Sequence, residues 1–469
     1  MRFLVLTCFA AAPLLAQRPA LGPMARQMVV VDSPVVAIRN VRVIDGTGAP
    51  ARDGQTLVMS NGKITALGAA ASTAIPAGAH LIDGSGKTVL PGFVLVHEHM
   101  FYPAGGAVYH EFPFSFPRLY LAGGVTTART GGNMAAYADI NLKRQIDAGT
   151  VPGPKLDVTA PYLNGPNPFV QMYALKDAAD ARRFVNLWAG EGATSFKAYM
   201  QITRAQLGAA IEEAHRRGLK VTGHLCSVTY REAAALGIDN LEHGFLAASD
   251  FAASKAPDQC PGAQIQYIAN MTPETDTVAR SIIRALVDRR VALTSTLAIF
   301  ESFTPGRPAT PLRVLDAMSP DARSRYLQSR AATAGQMSSP YAKAFPNAMK
   351  LEKMFHDAGG MLVAGTDPTG YGGVLPGFGS QRTIELLVEA GLTPLEAIRV
   401  ATLNGATYLG RSDRVGSLAV GKDADVLLVA GDPGTRIADI ARLEIVFKDG
   451  VGFDSARLIE RTKGMVGAQ

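Results

Sequence analysis

Short apolar runs alternate through the middle of the chain with longer stretches whose apolar residues recur every three or four positions. The runs lie near Val94–Val96, Thr126–Ala128, Leu156–Val158, Ser195–Ala198, Lys220–Thr222, Asn240–Glu242, Ala292–Thr294 and Met361–Ala364, and each predicts a buried parallel strand. The helices between them carry readable ends. Thr203 caps one that runs to Arg217, with Leu207, Ala210, Ile211 and Ala214 on one face and Gly218 at its close. Thr393-Pro394-Leu395-Glu396 is a capping box with proline at the first helical position, and its helix continues through Ile398 and Ala401 towards Gly410. Strand–helix alternation of this kind predicts an α/β barrel over residues 91–412.

The flanks have another texture. From Val35 to about Leu90, short β patterns are separated by Asp-Gly, Asn-Gly and Gly-Lys turns, and the same texture returns in VGSLAVGKDADVLLVAGDP and LEIVFKDGVGF. The simplest arrangement is one small composite β-sandwich domain built from both chain ends, residues 30–90 and 413–469, with the barrel inserted. Two unrelated β pieces are the alternative. The stretches Ala248–Pro273 and Phe303–Pro346 exceed ordinary connections and are candidate lids or substrate walls.

The first residues, MRFLVLTCFAAAPLLAQRPA, place Arg2 before an apolar run and a polar boundary, the layout of a secretory signal over residues 1–20. Leu6-Thr7-Cys8 lies too near the start to serve as a lipoprotein box. Export to the periplasm or outside the cell is expected, and no later run reaches the ~18 apolar residues of a membrane span. A composition of 47% hydrophobic and 18% charged residues is that of a globular protein. The net charge of +6 comes without any Lys/Arg block, which leaves nucleic-acid binding unsupported and only a lean towards anionic substrates. Cys226 and Cys260 remain after the signal, following strands that neighbour each other. They can pair in an oxidising compartment, but sequence supplies no bridge geometry, and two free thiols are the expectation.

Candidate chemistry sits at the strand ends, where barrels of this kind carry it. His97 and His99 are two apart on one strand, so both side chains face the barrel interior while the structural Glu98 faces away. His224 and His243 each close a strand at the same end, and Asp367 closes the last one. Singly, each has an ordinary explanation as a satisfied core histidine or a turn aspartate. His80, His110, His215 and His356 fall elsewhere and read as structural or solvated. Lys197 lies in an apolar strand, where an ammonium beside metal ions would be repelled. Either its neutral amine reacts with carbon dioxide to give a bridging carbamate, or it pairs with Asp367 or another carboxylate. Spacing leaves both open.

Taken in order, Pro91-Gly92…His97-Glu98-His99, Gly124-Val-Thr-Thr-Ala-Arg129, Phe196-Lys197, Gly223-His224, Glu242-His243-Gly244, Gly365-Thr366-Asp367, Val415…Asp425 and Gly431-Asp432-Pro433 resemble the amidohydrolase superfamily. The branch is the imidazolonepropionase-like one, with Xaa-Pro dipeptidases and ochratoxinase-like carboxamidases, and the resemblance covers nearly everything after the signal. It implies a (β/α)8 TIM barrel with the composite β domain and two divalent ions, zinc in the usual case. By position, His97, His99 and Asp367 would hold one ion, His224 and His243 the other, and carboxylated Lys197 would bridge. The implied reaction is attack by a metal-bridging hydroxide on the amide of a dipeptide or N-acyl amino acid. Asp367 would carry the proton, and Tyr230 or a rim arginine would steady the oxyanion or a substrate carboxylate. The expected partner is a small-molecule amide, with homo-oligomers compatible with it.

Two departures from the pattern stand out. Arg129 is followed by Thr130 where aspartate is common, and Leu-Cys-Ser follows His224 in place of an alanine-rich stretch. Rival readings are a cyclic-amide hydrolase or deaminase of the same superfamily, and an exported binding protein without catalysis. No Gly-x-Ser-x-Gly appears, so a serine hydrolase is poorly supported.

Overall fold

The computed structural model describes residues 20–468 apart from 106, 107, 136, 169, 170 and 371. All of the expected signal except Ala20 therefore lies outside the described residues. Eight parallel strands form where the apolar runs predict them: Phe93–Glu98, Val125–Thr130, Lys155–Asp157, Ser195–Ala198, Lys220–Gly223, Asn240–Glu242, Ala292–Ser295 and Leu362–Ala364. The first three pair with one another, and the last five pair in chain order. Bridges Thr159↔Ser195 and Leu163↔Ala198 join the two groups on one side. On the other, the amides of Thr366 and Asp367 both donate to the His97 carbonyl at 3.1 Å. The cylinder is closed, as a (β/α)8 barrel requires.

Alternation along the strands sorts the side chains. Ala128, Phe196, Val221, Leu241 and Leu293 face outward into the main hydrophobic core under the helices. Arg129, Lys197, Thr222 and Glu242 are equally buried but polar. Arg129 ties them together: its guanidinium donates to Ser195 Oγ and Val96 O at 2.9 Å, to Thr222 Oγ1 at 2.8 Å and to Glu242 Oε1 at 3.2 Å. The barrel floor is thus a hydrogen-bonded layer that leaves its far end free for chemistry. The two sequence-read helix starts hold: Thr203 and Thr393 each close a capping box, with Gln206 and Glu396.

Both chain ends build the flanking β domain, and its strands are hydrogen-bonded into one continuous nine-stranded sheet. The reason is the length of Val35–Val43, which pairs with three partners: antiparallel with Arg52–Ser60, and parallel with His80–Asp83 at one end and Lys87–Pro91 at the other. Lys87–Pro91 then pairs with Val426–Ala430, joining the N-terminal strands to the C-terminal ones. Ile38, Leu57, Met59, Val89, Val426, Leu428 and Phe447 share a core of their own. At roughly 1.5–3 kcal/mol for each fully buried aliphatic or aromatic side chain, that core holds the chain ends together strongly. Lys155, on the third barrel strand, fastens the sheet to the barrel through Asp423, Asp425 and Asp449 at 2.9, 3.0 and 2.8 Å. Burial acts against its charge, but the three carboxylates raise its pKa overall.

The expectation of free thiols is overturned. Cys226 and Cys260 form a disulfide with their Cα atoms 4.8 Å apart. The Ala248–Pro273 segment folds back over the turn after the fifth strand, and only through-space geometry could reveal that. Arg204 helps pin the same segment, its amide donating to Asp258 Oδ1 at 2.8 Å and its guanidinium at 3.1 Å. Among the described residues, no helix is long and apolar enough to cross a membrane.

Candidate metal centre

His97 and His99 end the first strand, and the backbone around them is shaped for close approach. A Cβ on Gly131 would fall 2.7 Å from the His97 ring, and one on Gly365 would fall 2.4 Å from the His97 Cβ. Only glycine lets the second and eighth strands close on that imidazole. His243 and Asp367 adopt φ of +71° and +49°, a region that non-glycine residues seldom occupy. Each turns off its strand so that its side chain points back over the barrel mouth. Strained residues of this sort gather at functional sites.

Around Asp367 the imidazoles converge. Its Oδ1 lies 3.3 Å from His99 Nε2 and 3.6 Å from His97 Nε2, and its Oδ2 lies 3.5 Å from His243 Nδ1. The His224 ring packs against that of His243 with centroids 4.2 Å apart. Two donor sets have ligand atoms within 4.8 Å of one another: His97, His99 and Asp367, and His97, Glu242 and His243. Backing contacts orient the rings. His99 Nδ1 is 3.3 Å from the Gly132 carbonyl and His243 Nδ1 is 3.0 Å from Thr296 Oγ1. Metal-binding histidines are commonly oriented by such partners. Meanwhile His243 Nε2 is buried without a hydrogen-bond partner among the described residues. A buried imidazole nitrogen left over, beside a carboxylate and two more imidazoles, suits a divalent cation.

Protonation fits the same purpose. Burial, with the Lys197 charge second, lowers His97 to about 4, and His224 to about 3. Burial likewise lowers His99 to about 4, against the opposing pull of Asp367. Neutral imidazoles are the metal-binding form. For Asp367 burial pushes upward, but the His97, His99 and His243 side chains hold it well below the usual carboxylate range. Glu98 faces away, as expected, accepts from the Thr366 amide at 2.8 Å and is raised to about 8 by burial.

Lys197 is fully buried, and its amine is in close contact with Glu242 Oε2. Burial drives its pKa well down. The carboxylate facing the Lys197 amine is therefore that of Glu242 and not that of Asp367. Glu242 is the residue that sequence reasoning missed. It also lies 3.2 Å from His97 Nδ1 and joins the second donor set. Thr130, standing where aspartate is common, accepts from the Thr159 amide at 3.0 Å and serves the barrel wall. Tyr230 is not brought to the site. Its hydroxyl lies 2.8 Å from the Glu242 carbonyl and 2.9 Å from that of Gly244, and the ring is completely buried behind the ligands.

A cavity of about 160 Å³ opens over His97, His99, Lys197, His224, His243 and Asp367, so all six sequence-read ligands share one wall. Phe101, Tyr109, Tyr162, Tyr199, Ile299, Phe300 and Phe303 supply much of the remainder. Phe303 begins one of the two long insertions, and Tyr109 comes from the hairpin Phe101–Gly105/Val108–Glu111.

The sequence profile of the amidohydrolase family matches residues 88–454 of the 469. Over 41 residues the chain is 58% identical to the imidazolonepropionase of Syntrophobacter fumaroxidans, a match that spans 9% of this chain and 10% of that protein. A solved bottromycin amidohydrolase superposes with a TM-score of 0.68 at 21% identity, over 96% of each chain. A Xaa-Pro dipeptidase with bound methionine superposes with a TM-score of 0.65 at 17% identity, over 90% of this chain and 100% of its own. These two likenesses are of fold. The profile match runs from Thr88, on the sheet strand ahead of His97, to Asp454 near the end of the composite sheet, and takes in every candidate ligand lining the cavity. The chain belongs to the amidohydrolase family.

Proposed function

We propose that this is an exported, binuclear metal-dependent hydrolase that cleaves an amide bond in small molecules, with dipeptides and N-acyl amino acids as the expected class. The observation that carries this reading is the convergence of His97, His99, Lys197, His224, His243 and Asp367 on one cavity wall. His97, His99 and Asp367 would hold one ion and His224 with His243 the other, with Lys197 between them. Bound divalent ions supply Lewis acidity and bring a water's pKa near neutrality.

The chain's own part centres on Asp367. Kept ionised among three imidazoles, its Oδ atoms can accept a proton and return it to the departing amide nitrogen. Glu98 and Tyr120 hold the His97–His99 segment: the Tyr120 hydroxyl lies 3.1 Å from the His99 amide and 3.0 Å from its carbonyl. The Phe300 and Phe303 rings exclude bulk water from one side. For Lys197, burial favours the neutral amine that carbamylation needs, but its contact with Glu242 would have to be given up. Export is supported by the Cys226–Cys260 bond, since such bonds persist in oxidising compartments.

The test is metal quantitation on the full chain, coupled to amine release from a panel of dipeptides and N-acyl amino acids. Two equivalents of metal are expected, with turnover lost to a chelator and restored by zinc. Metal-independent release would refute the hydrolase reading, and no release from this panel would refute dipeptides and N-acyl amino acids as its substrates. The imidazolonepropionase match favours a cyclic-amide hydrolase as the second reading. Full activity in Lys197→Ala would support that side.

A further inference from the structure

Aromatic rings line the cavity above the histidines in direct contact with them. Phe101 stacks on His99 with centroids 4.4 Å apart, and Phe300 meets His243 edge-on at 5.9 Å. On the opposite side the Tyr199 ring lies 4.8 Å from His224 and 4.9 Å from Tyr162. Among the described residues, neither the Tyr162 nor the Tyr199 hydroxyl has a hydrogen-bond partner, although both residues face the cavity and Tyr162 is only 4% exposed. A hydroxyl at the wall of a largely apolar cavity gains from a polar partner. These two are placed to receive one from a ligand.

Charge is distributed in the opposite sense. Lys197 is the one Lys or Arg among the described lining residues. Its amine is held by Glu242, and carbamylation would make it an anion, so in either state it offers no free positive charge. Arg129 is spent on the barrel floor, on Ser195, Val96, Thr222 and Glu242. With the metal ions taken up by the reacting amide, a substrate carboxylate on the flanking group would leave water without a guanidinium or ammonium in the cavity to receive it, and burying an unpaired charge is costly. An aryl or alkyl group would gain from the same walls.

We infer that the cavity selects uncharged amides flanked by an aromatic or alkyl group, with the Tyr162 and Tyr199 hydroxyls binding a polar atom of the substrate, and that it has no clamp for a terminal carboxylate. This rests on the amide-hydrolase reading but departs from its expected substrates, since dipeptides and N-acyl amino acids carry the carboxylate that this cavity does not receive. It also runs against the anionic lean of the overall charge. Tyr199 and Tyr162 take the substrate contact that sequence assigned to Tyr230.

The experiment uses the zinc-loaded full chain and two matched pairs. N-acetyl-2-phenylethylamine is compared with N-acetyl-L-phenylalanine for kcat and KM. Their methanesulfonyl analogues, which lack a carboxamide, are compared for Kd by calorimetry. The neutral member should be favoured by about tenfold or more in both measurements. Tyr199→Phe and Tyr162→Phe should each raise its Kd and KM by about tenfold, the effect of one hydrogen bond, with metal content unchanged. Turnover of both amides with the acid equal or preferred would overturn the inference while leaving the hydrolase reading intact. No turnover, with the neutral sulfonamide still bound more tightly, would support the cavity assignment and overturn the hydrolase reading. Equal or absent binding of the two sulfonamides, or unchanged Kd in both tyrosine variants, would also overturn the inference.

Discussion

Tyr230 sits with its hydroxyl between the Glu242 and Gly244 carbonyls, on either side of His243. It is a positioning residue for the left-handed turn at His243. Tyr230→Phe should therefore cost about 1 kcal/mol of stability, the worth of an ordinary buried hydrogen bond, and weaken metal retention with KM unchanged. Denaturation and metal-titration curves would show this, whereas a raised KM alone would point to substrate contact instead. Asp367→Asn keeps the shape but removes the proton acceptor, and should lower kcat by about a hundredfold or more. Single-turnover kinetics with confirmed metal content separates that loss from loss of the ions. The convergence of the histidines and Asp367 was legible because each closes or follows a barrel strand at the same end, although period two gives a face only to His97 and His99. Glu242 was not, because its role depends on Lys197 and Arg129 reaching it across the barrel. Tyr230 was misjudged because sequence places it near the site without saying which way the helix turns it.

At the scale of elements, the eight strands and both capping boxes follow from local pattern, since burial and hydrogen bonding in those segments are decided within a few residues. Long insertions obey no such rule. The Cys226–Cys260 bond closes a loop with a sequence separation of 34, and a cross-link of that span is worth about 2–4 kcal/mol. Reducing agent, or paired Cys226→Ala and Cys260→Ala changes, should lower stability by that amount. Because Cys226 lies two residues from His224, metal affinity should fall with it. Calorimetric unfolding with and without reductant checks both. The branched sheet was also beyond local reading: the turns predict hairpins, but not that Val35–Val43 would serve three neighbours at once.

For the whole molecule, buried titratable groups set opposing pH trends. His97 and His99 are held near 4, against about 6.5 in the unfolded chain. Between those values the unfolded state binds more protons, so the metal-free protein should lose stability as pH falls from about 6.5 to 4. Urea midpoints at several pH values would reveal the slope, and bound zinc should shift it by holding the imidazoles neutral. Glu352 runs the other way. It is raised to about 8 by burial, against a carboxylate's ordinary value near 4.5, so its contribution is complete below 4.5 and is lost as pH rises through 8. Glu352→Gln should therefore gain on the order of 1 kcal/mol or more at pH 8 and little at pH 4.5, and a flat comparison between the two pH values would reject this.

The sheet that joins both chain ends has a consequence for biogenesis. Among the described residues, Val29–Val31 finds its strand partner only in Val451–Asp454, and Lys87–Pro91 waits for Val426–Ala430. Every barrel strand is therefore synthesised before the early strands acquire those neighbours. A chain halted anywhere between residues 91 and 426 would display an open, apolar β edge at Lys87–Pro91, the kind of surface that templates aggregation and that quality-control proteases act upon.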